Sequence, residues 1–448
     1  MATLSPQEIL DRVRTLAQRS GSAEAEAYFE IVNLTEARVR QGEVEYLSQS
    51  AVRGVGVRVF VNSKAGFSYT TDLRPNVLDE LVRRTIILAG ENAPRDENRL
   101  PDEQLPPLSD LEIYDEAVAR LRPPELIALA RQAEEQSFAS DKRVQATRLA
   151  RAGAAVGEVH FSNTYVPYQT YRSTTVWTGL TAVATDGTVR REGSFHDRRR
   201  SLLDLNTPER VGRKAAERAA QHLGAKPVPT TKAPVIFEAD AAAQLVAGLL
   251  PAFDAANILE QRSFLIGKLN KPVASPLVTL VDDGLMRRGL GTRPFDGEGV
   301  QQRRTVLVDR GTLMKSLHTA TTARRMNVRL TGNATRSYDS IPVSGPTNLH
   351  IEAGSSTLER MVSSTPRGLL VTGMAGFGVN TVSGDFSQQV VGRWIEKGVL
   401  GAPVEGVTVA ANLSEMLLGI DAVGKDIEYR DTIASPSLRF RELTISGT

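Results

Sequence analysis

Gly224-Ala-Lys-Pro-Val-Pro-Thr-Thr-Lys-Ala-Pro234, followed at once by Val235-Ile236-Phe237, is the stretch that divides this chain. Three prolines and few large apolar groups leave little to bury, so the segment reads as a linker between two domains. It separates residues 1–223 from residues 235–448. Val235-Ile236-Phe237 then reads as a buried strand. Asp240 reads as the cap of a helix that places Leu245, Val246, Leu249 and Leu250 on one face.

Upstream of the linker, helical and strand periods alternate. Pro6–Arg19 carries Ile9, Leu10, Val13, Leu16 and Ala17 at helical spacing, with Ser5 and Glu8 placed for a capping box. Glu26–Leu34 and Ala37–Tyr46 alternate with period two, Gly42 marking a turn between short pieces. The β-branched run Val52–Val61 ends at Asn62-Ser63, where a hairpin returns through Ala65–Thr70. Leu73–Ala89 is helical again. Glu91–Asp110, rich in proline and acidic residues, reads as a loop. A helix from Pro123-Pro124, strands from Lys142 to Arg190 with a tight turn at Asp186-Gly187, and a helix from Thr207 to Gly224 complete this half. The order predicts an antiparallel sheet with helices, an α+β domain.

Downstream, glycine is frequent and the strands are short. Arg310-Gly311 and Lys397-Gly398 each turn a hairpin. Ser356 with Glu359, and Asn412 with Glu415, predict brief capped helices. This half reads as mainly β, a curved sheet or barrel-like sandwich with short helices.

Composition narrows the function. Fifty-four Lys and Arg stand against 52 Asp and Glu, a net charge of +2. That balance argues against a chain-wide nucleic-acid surface. Arg198-Arg199-Arg200 is the only local basic run of note, and a solvated turn explains it. With no cysteine there is no thiolate, disulfide or thiol nucleophile. The first residues lack the apolar core of a signal peptide, and no apolar run approaches a bilayer span. A soluble cytoplasmic protein is expected.

No chemical constellation is visible in the residues themselves. His160, His196, His222, His318 and His350 are too scattered for a short-range zinc motif. His222 reads as a cation near a helix C-terminus and the other four as strand positions. Ser383-Gly384-Asp385 has no base beside it in sequence. The glycines of Gly373–Gly378 match neither a P-loop nor a dinucleotide fingerprint. Asp282-Asp283, Asp296 with Glu298, Asp385 and Asp426 lie in Gly-rich loops, where bonding to turn backbones competes with acid–base work.

Several blocks, in order, closely resemble the TldD/PmbA family. They are Arg262-Ser-Phe-Leu-Ile-Gly-Lys268, Pro276–Asp283, Gly291-Thr-Arg-Pro-Phe-Asp-Gly-Glu-Gly-Val300, Asp309–Leu313, Thr331-Gly-Asn333, Gly376-Phe-Gly-Val-Asn380, Ser383–Ser387, Pro403-Val-Glu405 and Val409–Asn412. Gly54–Arg58 and Gly66–Tyr69 match more loosely. The resemblance implies a two-domain α+β protein whose members pair. In it, a TldD-type subunit binds zinc through His-Glu-x-x-x-His and a C-terminal cysteine, and cleaves unfolded peptides.

This chain departs from that pattern. Near Val246–Pro251, where the motif is expected, it reads Val-Ala-Gly-Leu-Leu-Pro, and Gly424–Pro436 has no cysteine. It is similar to the PmbA (TldE) branch, which lacks the metal motif. The resemblance therefore implies no cofactor in this chain, zinc in a TldD-type partner, and a non-catalytic subunit that completes the partner's peptide cleft. A hetero- or homodimer is expected, with no direct nucleic-acid or membrane contact. An extended peptide can add to a sheet edge, and Arg293, Asp296, Glu298, Gly376, Gly378, Asn380, Gly384 and Asp385 are candidates for the cleft or the subunit interface. An autonomous hydrolase, and a gyrase-modulating binding protein without activity, are the alternatives.

Overall fold

The computed structural model describes residues 4–21, 24–101, 110–376 and 378–447. The first half builds α1 (Pro6–Arg19), β1 (Glu24–Arg40), β2 (Glu43–Val61), β3 (Lys64–Thr70) and α2 (Pro75–Glu91). Then come α3 (Glu116–Ala119), α4 (Pro123–Ser140), β4 (Val144–Asn163), β5 (Gln169–Asp186), β6 (Val189–Arg199) and α5 (Pro208–Ala220). Ser5 and Glu8 form the expected capping box. The short strand pieces expected around Gly42 are in fact two long strands. Their ladder runs from Glu24↔Phe60 to Arg40↔Glu43 with one register shift after Arg38, and Gln41 and Gly42, with φ of 52° and 78°, make the turn. Of the expected Glu91–Asp110 loop, 102–109 lie outside the described residues; Asn92 and Asn98 tie its start to Ala65 and Ser63.

One antiparallel sheet in the order β3-β2-β1-β4-β5-β6 carries this half. Helices α1 and α2 bury Ile9, Leu10, Leu78 and Val82 against Phe29, Val55 and Val57. Helices α4 and α5 bury Leu126, Ala130, Val211 and Ala215 against Ala152, Leu180 and Phe195. Gly212 sets the distance between those two helices, since a Cβ there would lie 2.2 Å from the Ala133 carbonyl oxygen. Gly→Ala inside a helix ordinarily stabilises by up to ~1 kcal/mol. Here the sign reverses, and Gly212→Ala is expected to cost about 1–3 kcal/mol through overpacking. The urea midpoint reports it, and an unchanged or raised midpoint would contradict the close approach.

The second half begins with β7 (Thr231–Phe237), so the last four residues of the expected linker are already strand. There follow α6 (Ala239–Phe253), α7 (Ala255–Leu259), β8 (Leu280–Asp283), β9 (Arg304–Asp309), β10 (Thr312–Leu313) and α8 (Ala320–Met326). Next are β11 (Ala334–Thr335), β12 (Val343–Ser344), β13 (Leu349–Ile351), α9 (Leu358–Ser363), β14 (Arg367–Ala375) and β15 (Val379–Asn380). The chain ends with β16 (Asp385–Glu396), β17 (Val399–Asn412), α10 (Leu413–Leu418), β18 (Ile420–Val423), β19 (Ile433–Ala434) and β20 (Leu438–Ser446).

Because β14 pairs with both β7 and β16, the run β14-β7-β20-β17-β16 closes into a five-stranded barrel. Phe237, Phe386 and Phe440 meet edge-to-face inside it. A second sheet, β10-β9-β8-β13-β19, lies alongside. The α+β reading and the barrel-like second half agree with this architecture.

Local capping differs from expectation. The N-cap of α6 is Glu238, without a side-chain cap bond; Asp240 lies inside the first turn and is drawn to arginines instead. Thr357, not Ser356, caps α9 by accepting from the Arg360 amide. Asn412 accepts from Ser414 rather than sharing a box with Glu415. Arg200 is buried rather than solvated, donating to the Thr174 and Gly289 carbonyls. Among the described residues no helix is long and apolar enough to cross a membrane.

Candidate functional site

Helix α6 has two faces. Leu245, Val246 and Leu249 enter the barrel-side core, while Ala239, Asp240, Ala243, Gln244 and Ala247 recur one to four residues apart and look into a cavity of about 600 Å³. Alanines at these positions leave the space open. Edge strand β6, the end of α5, β14 and the segment 428–435 supply the other walls. The two segments that the family resemblance marks as metal-bearing, one on this helix and one within 424–436, thus converge on a single cavity. The cavity face of α6 lies mostly one turn before the window counted from sequence, where only Ala247 is in the lining.

A charged knot occupies that convergence. The Asp240 carboxylate accepts from both Arg218 of α5 and Arg430 of the C-terminal segment. Arg218 also donates to the Ser194 carbonyl at 2.8 Å, and Arg430 to the His196 carbonyl at 3.1 Å. Arg430 pairs with Glu428 at 3.0 Å. Both guanidinium groups lie over the Phe195 ring, at 5.2 and 4.5 Å. Burial pushes the Asp240 carboxyl up, but Arg430 and Arg218 outweigh it and hold it below the ordinary carboxylate range.

Both histidines here are held below the ordinary imidazole range. Desolvation, then the Arg430 charge, push His196 down, although its ring keeps an exposed edge. Desolvation also lowers His222, whose Nε2 lies 3.1 Å from the Thr372 hydroxyl. The helix-terminal cation expected at His222 is disfavoured, because its environment costs a charged imidazole its hydration. Of the remaining histidines, His318 precedes α8 rather than lying in a strand, and bonds Ser316.

This lining does not fit a zinc ion. Zinc wants three or four converging lone-pair donors. Here the one central carboxylate is shared by two cations, which would also repel a divalent ion. Among the described residues no three His, Cys, Asp or Glu side chains stand together as a metal site.

The candidates named from sequence fall in two other places. Asp296 and Glu298 are buried between the halves. Asp296 accepts from the Glu298, Val300 and Ala334 amides. Burial, then the Glu298 charge, push its carboxyl well above the ordinary carboxylate range. Glu298 pairs with Arg58 at 3.0 Å, and Arg58 pairs with Glu26 at 2.8 Å, which also takes Arg336. Half-buried Arg293 faces Tyr171 and Tyr28 at the same seam.

Gly376, Gly378, Asn380, Gly384 and Asp385 instead shape the β14–β15–β16 turns. Gly376 and Gly384 have φ of +82°, and a Cβ on Gly378 would lie 2.0 Å from the Ser387 carbonyl oxygen. Asn380 accepts from Val382 and Ser383, and Ser383 donates to Asp385 at 2.6 Å. No imidazole is bonded to Ser383 or Asp385 among the described residues. Asp282, fully buried, accepts from Asn333 and Thr347, and burial lifts it to about 6. Asp426 accepts from Ser437. These carboxylates hold turns together.

Sequence reasoning missed Asp240, Arg218 and Arg430 as a unit because 190 residues separate Asp240 from Arg430. The signal available was an acidic residue in the first turn of α6 and an arginine in the cysteine-free terminal segment.

The chain is similar to known proteins along most of its length. Three family models match in succession: PmbA/TldA metallopeptidase domain 1 at 25–89, the central domain at 116–223 and the C-terminal domain at 230–447. The metalloprotease PmbA of Escherichia coli O157:H7 is 30% identical over 410 residues, covering 91% of this chain and 89% of that one. A Thermotoga maritima protein, named for a suggested role as a modulator of a DNA gyrase, superposes with a TM-score of 0.90 at 27% identity, covering 99% of this chain and all of that one. TldE from Thermococcus kodakarensis shares the fold, with a TM-score of 0.88 at 23% identity, covering 98% and 99% of the two chains.

Proposed function

Because the chain belongs to the TldD/PmbA metallopeptidase family, we propose that it is the non-catalytic, TldE-like member of a two-component peptidase. Zinc and the cleaving chemistry reside in a TldD-type partner, and this chain completes the cleft that receives an unfolded peptide. The observation that carries the reading is the Arg218–Asp240–Arg430 knot in the cavity where α6 meets the C-terminal segment. A guanidinium pair there offers no lone pair to a metal, yet it ties α5, α6 and the C-terminal segment together. The knot keeps the cavity shaped without an ion, as a cleft-forming subunit requires. Arg293 and the Gly376–Asp385 turns remain candidates for the partner-facing surface. Asp296 and Glu298 serve it indirectly, by locking the halves.

The test is co-expression with a TldD-type protein from the same organism, measuring zinc content and cleavage of an unfolded peptide for each chain and for the mixture. Zinc in the partner, with cleavage in the mixture exceeding that of either chain alone, is the expected result. Stoichiometric zinc and cleavage by this chain alone would overturn the reading.

A further inference from the structure

The basic run Arg198-Arg199-Arg200 leaves the end of β6 at the wall of a second cavity, of about 470 Å³. Arg287 and Arg288, from the turn after β8, reach the same space, so five guanidinium groups drawn from both halves share one cavity. Like charges gathered in this way repel unless negative charge offsets them. Four of the five have a carboxylate. Arg198 pairs with Asp431 at 3.0 Å and Arg199 with Asp197 at 3.0 Å. Arg287 and Arg288 share Glu112, and Arg288 also takes Asp204 at 3.2 Å. Arg200 has no carboxylate among the described residues. It is 7% exposed, and its donors meet only neutral oxygens, the carbonyls of Thr174, Gly289, Leu290 and Thr292 and the Thr175 hydroxyl. Burial pulls its guanidinium down to about 10, with the Arg293 and Arg198 charges adding to the effect, so it is still a cation at neutral pH. The buried Nε of Arg198 also has no hydrogen-bond partner among the described residues. Arg288 is held at a φ of 57°, a left-handed conformation that a long side chain rarely takes. One positive charge is thus left over, and it is the buried one.

We propose that this cavity binds a small phosphate ester, with its phosphoryl group among the arginine forks. A carboxylate carries one charge on two oxygens, which a single guanidinium satisfies. A phosphate monoester carries close to two charges on three terminal oxygens, and several planar forks can grip it at once. Its charge would offset the unmatched Arg200. A bare phosphate ion would leave most of the volume unfilled. Met286 and Tyr429 line the remainder and offer an apolar seat for the esterified carbon body. The inference concerns the chain by itself and is independent of any TldD-type partner.

Calorimetric titration of the purified full chain with phenyl phosphate, inorganic phosphate and benzoate, at one ionic strength, tests it. Phenyl phosphate is expected to bind saturably at one site and to raise the melting temperature. Inorganic phosphate should displace it from that site while binding less tightly. Benzoate, with the same ring and a single charge, should bind at least about tenfold more weakly, the loss of one charge-assisted hydrogen bond or more. Arg198→Gln and Arg288→Gln alter side chains that are 41% and 46% exposed, so each variant should keep the parent's circular dichroism. Each should weaken phenyl phosphate by about tenfold or more. Arg120→Gln, on an arginine 77% exposed away from the cavity, should bind it as the parent does. No saturable binding, no displacement by inorganic phosphate, equal affinity for benzoate and phenyl phosphate, or cavity variants that bind no more weakly than Arg120→Gln would each overturn the proposal.

Discussion

Replacing Glu26 with alanine is expected to destabilise the chain by about 3–5 kcal/mol, the usual cost of leaving a buried ion pair half-removed. The Glu26 side chain is fully buried, and it faces Arg58, 10% exposed, and Arg336, fully buried. Burial lowers the Arg336 guanidinium. For Arg58, burial pulls down but Glu26 and Glu298 together outweigh it and raise it. A guanidinium keeps its charge, so without Glu26 the buried Arg336 loses its ion-pair partner and Arg58 keeps only Glu298. Because Glu26 and Arg58 belong to the first half and Glu298 and Arg336 to the second, the loss should loosen their docking. Urea unfolding at neutral pH gives the energy, and a second transition would mark the halves coming apart. A loss under about 1 kcal/mol would put the pair in the class of solvated surface bridges and contradict the burial. Substituting Glu26→Leu together with Arg336→Met should restore much of the stability, since paired removal costs far less than single removal.

Asp240→Ala is the second large effect. It leaves Arg218 and Arg430 facing each other, with Glu428 alone to balance them. The expected cost is about 3 kcal/mol, the lower end of the buried range because 28% of the Asp240 side chain is still exposed. The segment around Arg430 loses its tether to α6. It should become open to limited proteolysis, and cleavage by a mixture with a TldD-type partner should fall with it. Asp240→Asn should be milder, since it keeps one acceptor. The pH dependence has a definite sign. Asp240 is held below its ordinary value, so its contribution is complete above about pH 4 and is lost as pH falls further, where the unfolded chain takes up the proton first. The parent's acid-side loss of stability should therefore shrink in Asp240→Ala. An identical acid limb in both proteins would mean that the knot stores no such energy.

Much of the architecture was legible along the chain because it rests on neighbours in sequence. The Ser5–Glu8 capping box, the turns at Asn62-Ser63, Asp186-Gly187 and Lys397-Gly398, and the buried run Val235–Phe237 all depend on residues within a few positions of one another. So did the absence of a zinc motif on α6, since ligands one helical turn apart are visible as letters. Family resemblance came from ordered blocks and needed no geometry either. The full length of β1 and β2 was not legible, because a ladder partner decides whether Ser48-Gln49-Ser50 continues a strand or ends it.

The site shows the same limit. Asp296 and Glu298 sit in a Gly-rich loop whose letters do not tell its burial, and only the packing of two halves shows that both are buried and that Glu298 meets Arg58. Asp240 reads as a helix cap until Arg218 and Arg430, brought from two other walls, claim its carboxylate. What this sequence determined by itself was local: its elements, its turns and the donor atoms it lacks. What the tertiary structure decided was which charges meet, because Coulomb attraction and desolvation depend on distance in space and on the water excluded between groups, and neither is written in the spacing of residues along a chain.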